Sequence, residues 1–527
     1  MLTPPLIINT QDNGSDVGVD QWDPYIIYMY DASFSTYYLR IPYVVSDFKR
    51  NYYRISGGEG TAPGTELAET NCHNMWAYVS TAPKTMVDYD GIRKWQPHNL
   101  ITNSESFANQ SFSCFNNETY TFEVVGSGHI IVTDGVQTSD PIIENFPYEI
   151  TTQGTTLTIT HSASVPSKVW AYRSDLGGMV LNPDTNSTYV ASYSDYEIKP
   201  RLNHHEWNTD GYWENKGLLL ESDGARNWIN DSTNGTLNET ISLVSGETYT
   251  LSFEGGGTVT LSGANTATLD GSGLTTGERY KHTFYAAPEG VDPPGSPTDL
   301  VCTSSGTITY PQLENGIIAT SFFPTYGTTR LRVDDAISLR NTYDDASLWI
   351  TFGSSDLTGF IVQMKGEINW ANTGVELGND GRTAEVNFFT YRVNNQNYVF
   401  MFLNSTLGEN SLKLQWEESG SITKIQTANN FIQPGYSVPF NLAFATSRNG
   451  NFTWFSANTE ASGAGQTWPA GASFGVEIGR TFNGTIELFR VWNTSLHLFG
   501  DEYSEYGVRV SATNNNYITF LTTNDES

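Results

Sequence analysis

Two stretches 129 residues apart constrain this chain more than anything else in it. NETYTFEVVGSGHIIVTDG (residues 117–135) aligns without a gap on GETYTLSFEGGGTVTLSGA (residues 246–264). Identity falls at Glu118/Glu247, Thr119/Thr248, Tyr120/Tyr249, Thr121/Thr250, Gly126/Gly255 and Gly128/Gly257. Each copy reads as a strand, a glycine corner and a second alternating strand, the pattern of a β-hairpin. Similar leaders precede them, HNLITNSESF and GLLLESDGARNW, and a further alternating segment follows each, TTLTITHSAS and TDLVCTSSGTITY. The same order of segments around the same motif predicts two copies of one β-sandwich, each of about 110 to 130 residues.

The remainder divides around that repeat. Residues 1–88 form a β-rich first block, with aromatic and β-branched residues at strand spacing in YIIYMYDASFSTYYLRIPYVV. The repeats occupy 89–200 and 201–328, joined through the ordered connector EIKPRLNHHEWNTDGYWENKG. From 329 to 507 runs a series of short alternating segments, among them GFIVQMKG, AEVNFFTYRV, LKLQWEE and GTIELFRVWN, which predicts an antiparallel sandwich or jelly roll. Residues 508–527 add a strand-like piece and a polar tail. The expected fold class is all-β: a multidomain chain of antiparallel, jelly-roll-type sandwiches.

Charge narrows the partners. Lys and Arg number 27 against 57 Asp and Glu, a net charge of −30 without acidic runs. Affinity for phosphate backbones comes from Lys and Arg, so no nucleic-acid partner is expected. No apolar run reaches the roughly 18 residues that span a bilayer, so no membrane insertion is expected either. The opening MLTPPLIINTQDNGSD lacks the basic and apolar regions of a signal peptide. Cys72, Cys114 and Cys302 are widely spaced and read as small buried residues, with a disulfide between two of them left open. Eleven Asn-X-Ser/Thr sequons, from Asn13 to Asn493, read as the chance product of an Asn- and Thr-rich chain rather than as glycosylation.

The residues that carry chemistry elsewhere are sparse. His204 and His205 are neighbours and point to opposite faces of a strand, so they do not share a metal; no metal site and no cofactor are expected. GSGLTTGER lacks the Lys-Ser/Thr ending of a phosphate loop and reads as a turn. Glycoside hydrolysis needs two carboxylates across the sugar. Glu376 and Glu385 each stand without a partner two residues on, and Glu417 and Glu418 are adjacent and face opposite ways. No catalytic residue is assigned, although a depolymerase working through Glu376 or Glu385 stays as an alternative. Sugar binding needs only an aromatic face beside polar loop ends, and Trp370, Trp454 and Trp468 lie beside polar or glycine-rich loops.

Three segments resemble virion appendage proteins of tailed phages: NLITNSESF, KGLLLESDGARNW, and QLENGIIATSFFPT followed by TRLRVDD. The resemblance covers about residues 89–330 and implies carbohydrate-binding-module-like sandwiches. The first copy departs from it, with RSDLGG where the second has its Gln-Leu-Glu corner. The segment VEIGRTFNGTIELFRVWNTSL resembles the end of concanavalin-A-like lectin/glucanase (laminin-G-like) domains, in Gly484, Ile486, Arg490, Trp492 and Asn493. Together the resemblances imply a virion surface protein, a tail or head fibre assembled in the host cytoplasm. Block 1–88 would anchor it to capsid, portal, neck or tail proteins, and 329–507 would bind a host-surface glycan. They also imply a homo-oligomer, with a trimer as the habit of such appendages. A capsid decoration or turret protein without sugar affinity is the structural alternative. In that frame TITYPQLENGIIATSFFPT (residues 307–325) is a joint: a last strand ended by Pro311, then an apolar return to the core.

Overall fold

The computed structural model describes residues 27–31, 36–40, 44–55, 68–162, 164–222, 225–275, 277–286, 295, 297–332 and 334–339. Further on it describes 360–370, 385–394, 397–404, 411–418, 421–426, 435–446, 452–456, 459–463, 475–479 and 481–493. The chain is all-β. Among the described residues the one helix is the single turn Cys72–Met75.

The two repeats are two sandwiches of the same topology. In the first, Gln110–Ser113, Thr156–His161 and Ile130–Thr133 form one sheet, and Tyr148–Thr151, Thr119–Val125 and Lys168–Arg173 the other. In the second, Asn238–Val244, Pro297–Ser305 and Thr258–Gly263 correspond to the first sheet, with Ala267–Asp270 added at the edge. Arg279–Tyr285, Thr248–Glu254 and Thr309–Asn315 correspond to the second sheet. Each sandwich closes on its own core, one around Phe122, Ile130, Leu157 and Val169, the other around Tyr249, Leu251, Val259 and Leu300.

The hairpin expected at the repeat motif does not form. Its two strands lie in opposite sheets: Thr119–Val125 pairs with Tyr148–Thr151 and Lys168–Arg173, whereas Ile130–Thr133 pairs with Thr156–His161. The glycine corner carries the chain across the core instead. Gly128 has φ +108°, and a Cβ there would lie 2.2 Å from the Ser164 carbonyl oxygen. An alternating strand buries one face whether its partner is beside it or across the core, so the pattern is the same for both.

The third sandwich is larger and discontinuous. Phe360–Trp370 pairs with Gly435–Thr446 on one side and Asn483–Asn493 on the other. The far side of Asn483–Asn493 is shared by two segments from earlier in the chain. Trp213–Glu221 pairs with its first half, Leu218 opposite Ile486, and Val44–Asp47 with its second, Val44 opposite Val491. Tyr52–Ile55 and Ala68–Thr70 extend this sheet. The facing sheet runs Ser421–Gln426, Ser411–Glu418, Asn397–Asn404, Glu385–Asn394, Gly475–Ile478, Ala336–Leu339 and Trp76–Val79. Between the sheets is one core that includes Val44, Tyr53, Trp76, Leu218, Met364, Phe389, Leu414 and Phe489. Trp76 meets Phe489 edge-on at 5.4 Å.

The boundary expected at residue 88 is therefore displaced. Residues 44–79 have no core of their own among the described residues and complete the C-terminal sandwich. The repeats interrupt that sandwich in sequence, and the connector strand Trp213–Glu221 belongs to it too. The hairpin Ile27–Asp31 with Thr36–Arg40 pairs only with itself among the described strands. The expected tail 508–527 lies outside the described residues.

Candidate functional site

The second sandwich meets the large one at residues 307–325, and the first sandwich meets the strap just beyond them, Glu118 on Arg330 and Arg173 on Tyr326. Pro311 does not end the last strand of the second sandwich, which continues to Asn315. Proline is accommodated because this is an edge strand with a register irregularity there, and Tyr310 takes a left-handed φ of +55°. Beyond it Glu314 is fully buried and accepts from Gln312 Nε2 at 2.6 Å, the Thr320 amide at 2.9 Å and the Thr320 hydroxyl at 2.5 Å. These bonds fold the segment back, and Phe322 is fully buried.

Ser321 hands the segment to a buried charge cluster. Its hydroxyl donates to Glu221 at 2.5 Å, and Glu221 also takes Arg201 Nη1 at 2.6 Å. Arg201 reaches Asp335 with Nη2, and Lys84 and the Tyr78 hydroxyl reach Asp335 as well. Arg332 lies 3.6 Å from Glu221. Burial alone would raise both carboxyls; the Arg201 charge, joined by Arg332 at Glu221 and by Lys84 at Asp335, holds both below the ordinary carboxylate range. Five segments far apart in sequence are thus tied at one buried point. On the large sandwich, Tyr436 donates to the Ile317 carbonyl at 2.6 Å and accepts from the Ala319 amide at 3.0 Å.

Beside this cluster a cleft of about 320 Å³ opens between the first sandwich, residues 81–84 and the exit strap 323–332. Its walls are apolar and aromatic, with Phe112, Phe115, Trp95, Tyr196, Pro324 and Leu331. Phe115 is 46% exposed and Leu331 64%. Arg330 lies over the Phe115 ring, with its guanidinium carbon 3.8 Å from the centroid. Glu118, from the repeat motif, accepts from Arg173 Nη1 at 2.6 Å, Arg330 Nη1 at 3.1 Å, the Phe115 amide at 2.9 Å and the Tyr120 hydroxyl. Arg173 stacks on Trp95 at 4.1 Å and is held by Asp175 at 2.6 Å. A partly apolar concavity with a few fixed polar groups is the usual form of a small-ligand site.

The cleft is built from residues other than those expected to bind sugar. Trp370 ends the strand Phe360–Trp370 opposite Gly435, and Trp454 lies in the strand Phe452–Ser456 opposite Phe444 and Ala461. Their side chains, and the whole of Trp468 and Glu376, lie outside the described residues. Glu385 opens a strand opposite Asn404, its side chain likewise outside them. His204 accepts from the Val87 amide through Nδ1 at 3.3 Å, while His205 Nδ1 contacts the Asn203 carbonyl at 2.8 Å; no metal-ligating cluster occurs among the described residues. The three cysteines are buried, and none forms a disulfide among the described residues. Sequence reasoning missed Phe115, Arg173 and Arg330. The available signal was the density of charge in TTRLRVDD within a chain so poor in Arg.

No protein-family profile matches the sequence, and no curated protein matches it. Among solved structures it is similar to the mouse laminin alpha1 chain, domains LG4-5, with 8% identity over 52% of this chain and 90% of that one, at a TM-score of 0.19. At that score the likeness carries no argument. The sandwich architecture rests on the strand pairing described above.

Proposed function

We propose that this chain is a surface protein of a tailed virus, of tail- or head-fibre type, that binds host-surface glycans. The observation that carries the reading is the ionic joint. Arg201, Glu221 and Asp335, on the large lectin-like sandwich, hold the exit of the second sandwich at Ser321, and Arg330 just beyond it holds the first sandwich through Glu118. Such a mount suits rigid display of a binding surface, and the resemblances in 89–330 and 476–496 supply the setting. The attachment role first given to residues 1–88 falls, on this reading, to the residues before Val44, since 44–79 are needed in the large sandwich. The experiment is a glycan array of the full chain on host polysaccharides, paired with its localisation in virions. Binding to host glycans and a place on the particle surface are expected. A blank array with a position on the capsid would favour the decoration role, and release of reducing ends would favour a depolymerase.

A further inference from the structure

We infer that the cleft beside the joint binds a carboxylated pyranose, a uronate-type acidic sugar unit; this rests on the glycan-binding reading and gives it a site and a ligand class. The lining residues have an uneven charge. Lys84, Arg173, Arg330 and Arg332 line the cleft, against one carboxylate, Glu118. The acids that balance the other cations, Asp175, Glu221 and Asp335, are absent from the lining. Lys84, Arg173 and Arg332 are buried against acids, so Arg330, with its side chain 22% exposed, is the cation that opens to the cleft.

Glu118 cannot serve as a ligand acceptor, because its two oxygens already accept four hydrogen bonds. What the cleft offers is donors. Arg330 uses only Nη1, toward Glu118 and the Pro324 carbonyl. Its Nε and Nη2 carry no hydrogen bond to the described residues, and its side chain is 22% exposed. A guanidinium with one edge fixed and the other open matches the two oxygens of a carboxylate. The exposed Phe115 ring, Phe112 and Leu331 supply an apolar surface against which the C–H face of a sugar ring packs. The volume is near the lower end for small-ligand sites, which fits one or two sugar units.

The test is calorimetric titration of the full chain with a glucuronic-acid trisaccharide, its neutral glucose counterpart, and acetate and inorganic phosphate as bare anions. Binding of the acidic sugar is expected at least about tenfold tighter than the neutral one or either anion. Two variants locate the site. Arg330→Gln removes the open donors, and Ser113→Trp plugs the cleft from an exposed strand position. Each should weaken acidic-sugar binding about tenfold or more, Ser113→Trp without change in the thermal midpoint. If the chain binds host glycans but Ser113→Trp leaves that affinity unchanged, the site assignment fails and the glycan reading stands. Equal affinity for acidic and neutral sugars, or for the bare anions, overturns the ligand class. If no glycan of any kind binds, the glycan reading itself fails and takes this inference with it.

Discussion

Asp335 faces two cations and a tyrosine hydroxyl with no solvent exposure, so its charge is one the fold cannot do without. Removing one partner of a buried pair leaves the others uncompensated, at a cost of roughly 3–5 kcal/mol. Asp335→Ala should therefore lower stability by about that amount in chemical denaturation, whereas Glu105→Ala, which breaks the exposed pair with Lys168, should cost under about 1 kcal/mol. Acid should act in the same direction. Glu221 and Asp335 have depressed folded pKa values, so the stability they confer is present above the ordinary carboxylate range and is lost as pH falls below that range toward their folded values. His98 adds to this. It is fully buried, with Nε2 accepting from the Arg173 amide at 2.9 Å. Burial, with the nearby Arg173 charge, pushes its pKa down to about 4 from 6.5. The unfolded chain takes up that proton first, so stability falls with pH between those values, by up to about 3 kcal/mol from this group. Unfolding midpoints measured from pH 7 to 4 should drop, and His98→Gln should flatten the part of the curve between pH 6.5 and 4.

At the scale of the element, the crossing corner and the central strand matter most. Gly128→Ala would put a Cβ against the Ser164 carbonyl in a left-handed backbone, so the first sandwich should lose stability with little effect on the second. The strand Asn483–Asn493 is paired along both sides, by Phe360–Trp370 on one and by Trp213–Glu221 and Val44–Asp47 on the other. Phe489→Pro removes a ladder donor in its middle and truncates a fully packed ring. The large sandwich should then unfold as a unit. Limited proteolysis should still leave protected fragments spanning the two repeats, because each has a separate core. Loss of protection across all three at once would show that the joint makes them one cooperative unit.

For the whole molecule, the large sandwich is made from both sides of the inserted repeats. Its core cannot close until Asn483–Asn493 meets Val44–Asp47 and Trp213–Glu221. Deleting residues 1–43 should leave the thermal transition of that sandwich in place. Deleting residues 1–79 should abolish it, since Val44, Phe48, Tyr53 and Trp76 would leave the core and both sheets would lose strands. Calorimetry of the two truncations separates these outcomes. A 1–79 deletion that kept the transition would mean residues 44–79 are dispensable to the core.

Much of the architecture was legible along the chain because it is written in local chemistry. Alternation marked the strands, and the duplicated motif marked two equivalent sandwiches. What was not legible depends on partners distant in sequence. Whether Thr119–Val125 and Ile130–Thr133 lie side by side or across a core is not encoded in their alternation, which looks the same either way. The first block read as separate because nothing in VVSD announces that Val44 will stand opposite Val491. Lys84, Arg201, Glu221 and Asp335 look like scattered polar residues until the fold buries them together beside Ser321. Sequence by itself determined which segments are strands and how they repeat. Only the tertiary structure decided which sheets they share and where the scarce charges meet, because β pairing and ion pairing are contacts across space that local residue pattern does not specify.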